Sequence, residues 1–278
     1  MKRLPVIYLG PEGTFSHLVA ERRFGSKRAL EPCGSFGAIF DSLIAQPGAH
    51  AVVPVENSLG GTIYDAVDLL IAQAGRVFVV EEIALHVRIG LLGRTGAPIR
   101  RVYSHFVQLH SHRDWLSENL PDAEIIPVAS TAMAADSAAA DPEAAALAAP
   151  GAAASRNLDI LRCPVIHGLA NITHFFVLGH VEKIPKNPDA ARSAVAVSFG
   201  NECGSLHRFL GPFARNHVNI NRIISRPFPG YADRAVFFME IDGGPGVASY
   251  DSAIKRASST CDTFFSFGSY PWQRVIRS

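Results

Sequence analysis

Three polar side chains follow an apolar run early in the chain: Glu56, Asn57 and Ser58. Residues 51–55 predict a buried strand, and the Gly60–Gly61 pair lets the backbone approach a ligand closely. Thr62 then opens an amphipathic helical pattern. A carboxylate, an amide and a hydroxyl beside a helix N-terminus would receive a small anion that carries hydroxyl groups. An ordinary strand-to-helix turn capped by Thr62 explains the same residues equally well.

Other predicted strands also end in turns that carry hydroxyl groups. The first strand leads into a glycine-rich turn in which Thr14 or Ser16 caps a helix. This turn is neither a P-loop nor a dinucleotide-binding fingerprint. Ser104 ends a later strand, and residues 130–132 (Ser-Thr-Ala) follow another. The repetition favours one anion site shared by several strand ends.

These turns need alternating strands and helices to position them, and the apolar pattern up to about residue 180 predicts two α/β units. The alanine-rich stretch 132–154 predicts helices packed closely on a sheet, with a short strand at 144–149 as an alternative for part of it. An apolar strand at residues 171–179 begins with Asn171, Thr173 and His174. If this strand crosses back to the first sheet, its polar groups lie near residues 56–58.

The last third of the chain has a different pattern. Residues 182–192 contain two prolines and predict a linker. From residue 193 onward the predicted order is β-α-β-β-α-β, the split βαβ arrangement. Sheets of this kind have exposed edges, which favours pairing with a second copy of the chain.

The composition limits the class of protein. The chain has 278 residues, of which 48% are hydrophobic and 18% charged, so it can bury a substantial core. A net charge of +1 without a basic cluster argues against nucleic acid or an anionic membrane as a partner. The four cysteines lack metal-ligand spacing and predict buried or free thiols in a reducing compartment. Only four apolar residues follow the N-terminus before a Gly-Pro turn, which is too short for a signal or a span, so we expect a cytoplasmic protein.

The motifs taken together resemble those of the prephenate dehydratase family along the whole chain. Residues 10–16 resemble the family's GPxGTxS start, residues 55–58 its P-[IV]-E-N-S signature and residues 130–132 its S-T-A element. Residues 173–175 stand at the family's Thr-Arg-Phe position. The C-terminal segment resembles an ACT regulatory domain, with residues 204–206 and 225–227 at its G-A-L and E-S-R-P elements.

The resemblance implies an α/β fold in two parts. Residues 1–181 would form a two-lobed, periplasmic-binding-protein-like (type II) catalytic region, with the second lobe at about 90–170 and the site in the cleft. Residues 192–278 would form a ferredoxin-like βαββαβ ACT domain. The family works as a homodimer or homotetramer, with phenylalanine as effector. The residues expected to bind this effector are Gly204, Ser205, Leu206, Ser225, Arg226 and Pro227.

By the same resemblance, the substrate is prephenate and the product phenylpyruvate. Loss of CO2 together with the ring hydroxyl makes the ring aromatic, so the electron sink lies within the substrate and we expect neither cofactor nor metal. The protein must bind two carboxylates, hold the departing one in an apolar setting and supply a proton. The residues expected to bind the substrate are Thr14, Ser16, Asn57, Ser58, Ser104, Ser130, Thr131, Ala132, Asn171 and Phe175.

Three residues are candidates for the acid that protonates the departing hydroxyl. Family precedent points to Thr173, but a threonine hydroxyl is a weak acid, so it would donate a hydrogen bond or relay a proton. Glu56 would be the source of the proton if burial favours its neutral form, or it ties down a loop instead. His174 would bind an anion when protonated, serve as the acid, or be a structural substitution.

Several residues depart from the family pattern. His174 replaces the family's arginine and cannot make the same bidentate contact with a carboxylate. Residues 106–109 (Phe-Val-Gln-Leu) replace Pro-Gln-Ala-Leu, His167 stands where an acidic residue is common, and Ile224 replaces the glutamate of the effector loop. These departures leave three alternatives open: arogenate dehydratase, prephenate decarboxylase, or a non-catalytic ligand sensor.

Overall fold

A computed structural model describes residues 4–180, 191–228 and 234–277. The strands are β1 (Val6–Leu9), β2 (Leu30–Cys33), β3 (His50–Asn57), β4 (Gly61–Thr62), β5 (Val77–His86), β6 (Gly90–Gly93), β7 (Arg101–Ser104), β8 (Glu124–Pro127), β9 (Ala144–Ala148), β10 (Asp159–Arg162), β11 (Ile172–His180), β12 (Arg192–Ser198), β13 (Ile220–Pro227), β14 (Ala235–Asp242), β15 (Thr263–Tyr270) and β16 (Trp272–Arg277). The α-helices are α1 (Phe15–Phe24), α2 (Phe36–Ala45), α3 (Tyr64–Ala72), α4 (Phe106–Ser111), α5 (Arg113–Asn119), α6 (Thr131–Ala140), α7 (Ser205–Arg215) and α8 (Ala248–Ser258).

The first sheet has the strand order β16-β5-β11-β3-β1-β2, with β4 paired to β3. β1 runs parallel to β2 and β3, whereas β11 lies antiparallel between β3 and β5. The strand predicted at 171–179 therefore does cross back to the first sheet, which meets the condition for its polar groups to lie near residues 56–58. Its register places Thr173 opposite Asn57 and His174 opposite Glu56. One side of this sheet is covered by α1 and part of the second sheet, and the other by α2, α3 and the third sheet.

The second sheet has the order β10-β6-β9-β7-β8 and is built from residues 90–162. The chain enters it after β5 and leaves it before β11, so two crossings join the two α/β units. Helix α6 packs on this sheet through Ala134, Ala135 and Ala138, which meet the alanines of β9. Small side chains bring helix and sheet close together, which explains the alanine-rich sequence. Both the predicted helix and the alternative strand are present.

The third sheet has the order β13-β14-β12-β15 and carries α7 and α8 on one face. Its chain order, β12-α7-β13-β14-α8-β15, is the predicted βαββαβ arrangement. The other face joins the core of the first sheet, where Phe238 and Tyr270 lie against Phe176. The predicted linker, up to residue 190, lies outside the described residues. After β15 the chain returns to the first sheet, in which β16 runs parallel to β5.

Two predictions concerned the N-termini of helices. Thr62 does not open a helix: Gly61–Thr62 pairs back on Glu56 and Asn57, which the left-handed backbone of Gly61 (φ +76°) allows. Helix α3 starts at Tyr64, and its N-cap residue makes no side-chain hydrogen bond. At α1, Thr14 is the cap, because its Oγ1 accepts from the His17 amide at 3.2 Å. In the described ranges, every helix is too short or too polar to cross a bilayer.

Candidate active site

A cavity of about 460 Å3 lies between the first sheet and the second α/β unit. From here on it is called the cleft. The first unit contributes the ends of β1 and β3, the hairpin that follows β3, and the start of β11. The second unit contributes the first turn of α4 and the N-terminus of α6. The polar side chains that line it are Asn57, His105, Gln108, Ser130, Thr131 and Thr173.

Asn57 orients the Thr173 hydroxyl. The Asn57 Nδ2 group donates to Thr173 Oγ1 at 2.8 Å and to Asn171 Oδ1 at 2.7 Å. The Asn57 Oδ1 atom accepts from the amides of Leu59 and Gly60 at 3.0 and 2.9 Å. These two bonds determine the orientation of the Asn57 side-chain amide, with Oδ1 toward the hairpin and Nδ2 toward Thr173. Because Thr173 Oγ1 accepts from Asn57, its own proton is directed away from Asn57, and the side chain lines the cleft. The cleft therefore holds an oriented hydroxyl donor.

The N-terminus of α6 provides a place for an anion on the opposite wall. Ser130 is its N-cap residue, with an extended backbone and Oγ accepting from the Met133 amide at 3.1 Å. Ser130 and Thr131 both line the cleft. The free amides of the first turn and the positive end of the helix dipole attract a carboxylate at this position.

The rest of the cleft wall is apolar. It is formed by Leu9, Phe15, Phe36, Ile63, Val87, Phe106 and Val107. No Asp, Glu, Lys or Arg side chain of the described residues lines it, and burial lowers the pKa of His105 below its ordinary value, which favours the neutral imidazole. A ligand in this space thus meets neutral donors, one helix end and hydrocarbon.

Glu56 and His174, which the sequence predicted as catalytic, lie on the opposite face of the sheet from Asn57 and Thr173. Successive side chains of a strand point to opposite faces. Because Asn57 and Thr173 point into the cleft, Glu56 and His174 point away from it. Glu56 Oε2 accepts from Arg222 Nε at 2.7 Å, and His174 Nδ1 lies 2.8 Å from Glu82 Oε1. Neither residue lines the cleft, so the structure does not bring Glu56 and His174 together with the Asn57 and Thr173 side chains. The alternative that Glu56 ties down a loop agrees with its contacts.

Both residues belong to a buried ionic cluster between the first and third sheets. Glu82 is fully buried and accepts from His174 and from Arg192 Nη1, the latter at 2.5 Å. Burial acts to raise the pKa of Glu82, but the His174 hydrogen bond and the charges of Arg192 and Arg222 outweigh it, so the pKa lies below its ordinary value. Glu240, also fully buried, accepts from Arg222 and from the Tyr270 hydroxyl. Burial in turn raises the pKa of Tyr270 well above its ordinary value.

Four residues predicted to bind the substrate are buried away from the cleft. The Ser104 hydroxyl donates to the Leu147 carbonyl at 2.6 Å, and Phe175 is a core residue beside Tyr8 and Ile83. Ser16 and Ala132 are buried within α1 and α6. Helical and strand periodicity turns these side chains inward while their neighbours Phe15, His105 and Thr131 line the cleft.

Two further predicted substrate residues, Ser58 and Asn171, support the cleft from behind. Ser58 joins two loops, because its Oγ donates to the Ala170 carbonyl at 3.1 Å and accepts from the Ile172 amide at 2.9 Å. Asn171 is buried behind Asn57 and accepts its amide proton. Thr14 lines a neighbouring cavity of about 570 Å3, which meets the cleft at Phe15.

Sequence reasoning missed the first turn of α4. His105, Phe106, Val107 and Gln108 all line the cleft, although only Ser104 was selected from this segment. The available signal was the position of the segment, since residues directly after a strand reach the ligand edge of an α/β sheet. Residues 106–109 were recognised only as a departure from the family pattern.

A third cavity, of about 560 Å3, lies in the third-sheet unit. We call it the C-terminal cavity. Five of the six predicted effector residues line it: Ser205, Leu206, Ser225, Arg226 and Pro227. Gly204 is the N-cap residue of α7, with a left-handed backbone (φ 82°) that glycine adopts without strain. Ile224 instead points into the core shared with the first sheet and is 5% exposed.

Comparison with known proteins finds one matching family and several similar chains. The family model "Prephenate dehydratase" matches residues 6–183. A bifunctional chorismate mutase/prephenate dehydratase from Aquifex aeolicus (strain VF5) is 30% identical over 272 residues, which are 97% of this chain and 74% of that protein. The crystal structure of a prephenate dehydratase in complex with L-Phe, from Arthrobacter aurescens, has a TM-score of 0.85 and 26% identity, covering 96% of this chain and 90% of that one. A structure described as GqqA, a novel type of quorum quenching acylase, has a TM-score of 0.83 and 26% identity, covering 96% and 98%.

Proposed function

This chain belongs to the prephenate dehydratase family, and we propose that its cleft converts prephenate to phenylpyruvate. The observation that carries the proposal is the Thr173 hydroxyl, oriented by Asn57 inside an apolar cleft that ends at the N-terminus of α6. The reaction would make the protein a carbon–oxygen lyase. A cytoplasmic location remains a prediction from the sequence.

The proposed reaction is a fragmentation with all its electrons supplied by the substrate. The bond between the ring and its carboxylate breaks and releases CO2, and the electron pair moves into the ring. The bond between the ring and its hydroxyl breaks, and the hydroxyl leaves as water after it takes up a proton. Thr173 donates a hydrogen bond to the departing oxygen or relays this proton, because a threonine hydroxyl is too weak an acid to be its sole source.

The two carboxylates of prephenate would have different environments. The side-chain carboxylate sits at the N-terminus of α6, where Ser130 and the first amides can donate to it. The ring carboxylate, which leaves as neutral CO2, faces the apolar wall that includes Phe15 and Phe106. Hydrocarbon disfavours the charged carboxylate more than the uncharged product, which promotes its loss.

We further propose that residues 1–181 are the catalytic region and residues 192–278 a regulatory ACT domain. The C-terminal cavity combines aromatic walls, Phe199 and Phe237, with the charged groups of Glu202 and Arg226. This combination suits a zwitterionic aromatic amino acid, and the similar Arthrobacter aurescens protein contains L-Phe. Phenylalanine is therefore the proposed effector, and a homodimer or homotetramer the proposed assembly.

The similarity to a quorum quenching acylase does not by itself favour acyl transfer here. An acylase nucleophile donates its proton to a base. In the described part of the cleft, Thr173 Oγ1 accepts from Asn57 and Ser130 Oγ accepts from a backbone amide. Neither hydroxyl is hydrogen-bonded to a base.

Purified protein incubated with prephenate is expected to produce phenylpyruvate, measured by the absorbance of its enol in alkali. Prephenate that disappears without this signal would indicate decarboxylation alone. Turnover of arogenate in preference to prephenate would identify an arogenate dehydratase. If neither compound is consumed, the chain acts as a ligand sensor and the proposed reaction is wrong.

Replacing Asn57 with aspartate is expected to reduce kcat about 100-fold, within the range of a lost general acid–base interaction. The carboxylate can still accept from the Leu59 and Gly60 amides, but it cannot donate to Thr173 or Asn171. The Thr173 proton then turns toward the new anion and away from the substrate.

The matched control is Asn119→Asp, which makes the same change on exposed α5, where Asn119 donates to the Trp115 carbonyl. Steady-state kinetics should show wild-type kcat for this control. An Asn57→Asp protein that keeps kcat within threefold of wild type would contradict the proposed role of Asn57.

A further inference from the structure

One face of β13 contacts the catalytic region at three successive positions. Arg222, Ile224 and Arg226 share this face, as alternate residues of a strand do. Arg222 pairs with Glu56 on β3, and Arg226 pairs with Asp68 on α3. Ile224 lies between them in the core that also contains Val53 and Phe176. The strand therefore joins the third sheet to the elements that carry the cleft.

The first ion pair reaches the residue next to Asn57. Arg222 Nε donates to Glu56 Oε2 at 2.7 Å, and the Arg222 side chain is 9% exposed. Its guanidinium also binds the buried Glu240, so Arg222 has little freedom to move independently of the third sheet. Glu56 directly precedes Asn57, whose amide orients Thr173. A displacement of Arg222 would therefore move Glu56 and the adjacent Asn57, and so change the orientation of the Thr173 hydroxyl in the cleft.

The second ion pair holds the far side of the same hairpin. Arg226 binds Asp68 in a bidentate manner, with Nε to Oδ1 and Nη2 to Oδ2 both at 2.5 Å. The guanidinium also lies over the Tyr64 ring, 4.5 Å from its centroid. Tyr64 and Asp68 are in α3, which begins directly after Ile63, a residue of the cleft wall. The hairpin of residues 57–63 is thus tied to β13 at both ends.

Arg226 also lines the C-terminal cavity, at the same end of β13 as Ser225 and Pro227. We propose that Arg222 and Arg226 are positioning residues for the cleft, and that a carboxylate bound in the C-terminal cavity acts on the cleft through them within a single chain. The identity of the carboxylate as phenylalanine rests on the proposed function. An anion beside Arg226 competes with Asp68 for the guanidinium, which loosens the hairpin and with it the Asn57–Thr173 pair.

The proposal is tested on the full-length protein by hydrogen exchange of residues 57–63, with L-phenylalanine as the probe. The amides of Leu59 and Gly60 report directly, because both donate to Asn57 Oδ1. In the wild type we expect phenylalanine to change their exchange rates at least threefold. In Asp68→Asn and in Glu56→Gln this change should disappear, while calorimetry still detects phenylalanine binding in both variants. In Asp68→Asn the phenylalanine Kd should fall at least threefold, because the effector carboxylate no longer competes with Asp68 for Arg226.

Two further variants separate positioning from a general structural effect. Asp68→Glu retains a carboxylate and should recover part of the exchange response. Asp65→Asn removes an exposed charge from the same helix and should behave as wild type. Asp68 and Glu56 have side chains 43% and 36% exposed, so neither substitution removes a core residue, and thermal melting checks that both variants fold.

Three results would each overturn the proposal: no binding of phenylalanine, no exchange response in the wild type, or a response that persists in both Asp68→Asn and Glu56→Gln. An equal loss in Asp65→Asn would also refute it. None of these measurements requires turnover. Absence of phenylpyruvate would therefore refute the proposed reaction while the exchange data still decide this inference.

Discussion

Replacing Thr173 with alanine is expected to lower kcat for prephenate about 100- to 10,000-fold, the range typical of a lost proton-transfer group. The substitution removes the oriented hydroxyl of the cleft and leaves the Asn57 amide with Asn171 as its remaining side-chain partner. The departing hydroxyl of the substrate then loses its donor. KM should change much less, since the hydroxyl acts mainly in the transition state.

Two companion variants make this result specific. Thr173→Ser retains the hydroxyl and should keep most of the activity, whereas Thr173→Val keeps the shape without the hydroxyl and should resemble alanine. All three are compared by phenylpyruvate formation under saturating prephenate. Valine with wild-type kcat would show that the hydroxyl takes no part in the reaction.

Replacing Arg192 with methionine is expected to lower the free energy of unfolding by about 3–5 kcal/mol, as removal of one partner from a buried ion pair does. Arg192 Nη1 binds Glu82 at 2.5 Å, and Glu82 is fully buried between two sheets. Methionine fills similar space but leaves this carboxylate with His174 as its remaining hydrogen-bond partner and with the Arg222 guanidinium 4.0 Å away. The protein must then bury a charge that is only partly compensated.

Urea denaturation measures the effect, with Arg100→Met as the matched control. Arg100 pairs with Glu143 at the surface, where the side chains are 67% and 41% exposed, and loss of such a pair costs about 0–1 kcal/mol. An Arg192→Met protein within 1 kcal/mol of this control would show that the Glu82 cluster contributes little to stability.

The pH dependence of stability gives an independent measure of the same pair. The folded-state pKa of Glu82 lies below its ordinary value of 4.5, so its interactions stabilise the protein above that pH. This contribution is lost as the pH falls through the folded pKa. Without Arg192 the pKa rises toward its ordinary value, so the variant should lose less stability on acidification than the wild type.

The convergence of Asn57 and Thr173 could be foreseen from the sequence. Both residues adjoin apolar runs whose length and composition predict strands, and a shared sheet brings strand ends together. Ser130 was identified for a similar reason, as a hydroxyl that follows a predicted strand, and the structure shows that it caps α6. These inferences succeeded because strand and helix ends are recognisable from a few neighbouring residues.

The roles of Glu56 and His174 could not be foreseen in the same way. Each is adjacent to a cleft residue in the chain, yet strand alternation turns each to the other face. Which face meets the cleft depends on the register of β11 against β3 and on what covers each side of the sheet. The partners that receive these side chains are far away in the chain: Arg222 is 166 residues from Glu56, and Glu82 is 92 residues from His174.

The sequence by itself determined the order of strands and helices, the ferredoxin-like C-terminal unit and the hydroxyl and amide groups at the strand ends, because short-range apolar patterns and capping residues specify them. Only the tertiary structure decided that the third sheet packs on the first, that β16 returns to the first sheet, and that Arg222 and Arg226 bind elements of the cleft. These features rest on contacts between residues that are distant in the chain. No local sequence pattern indicates which carboxylate will pair with a given arginine.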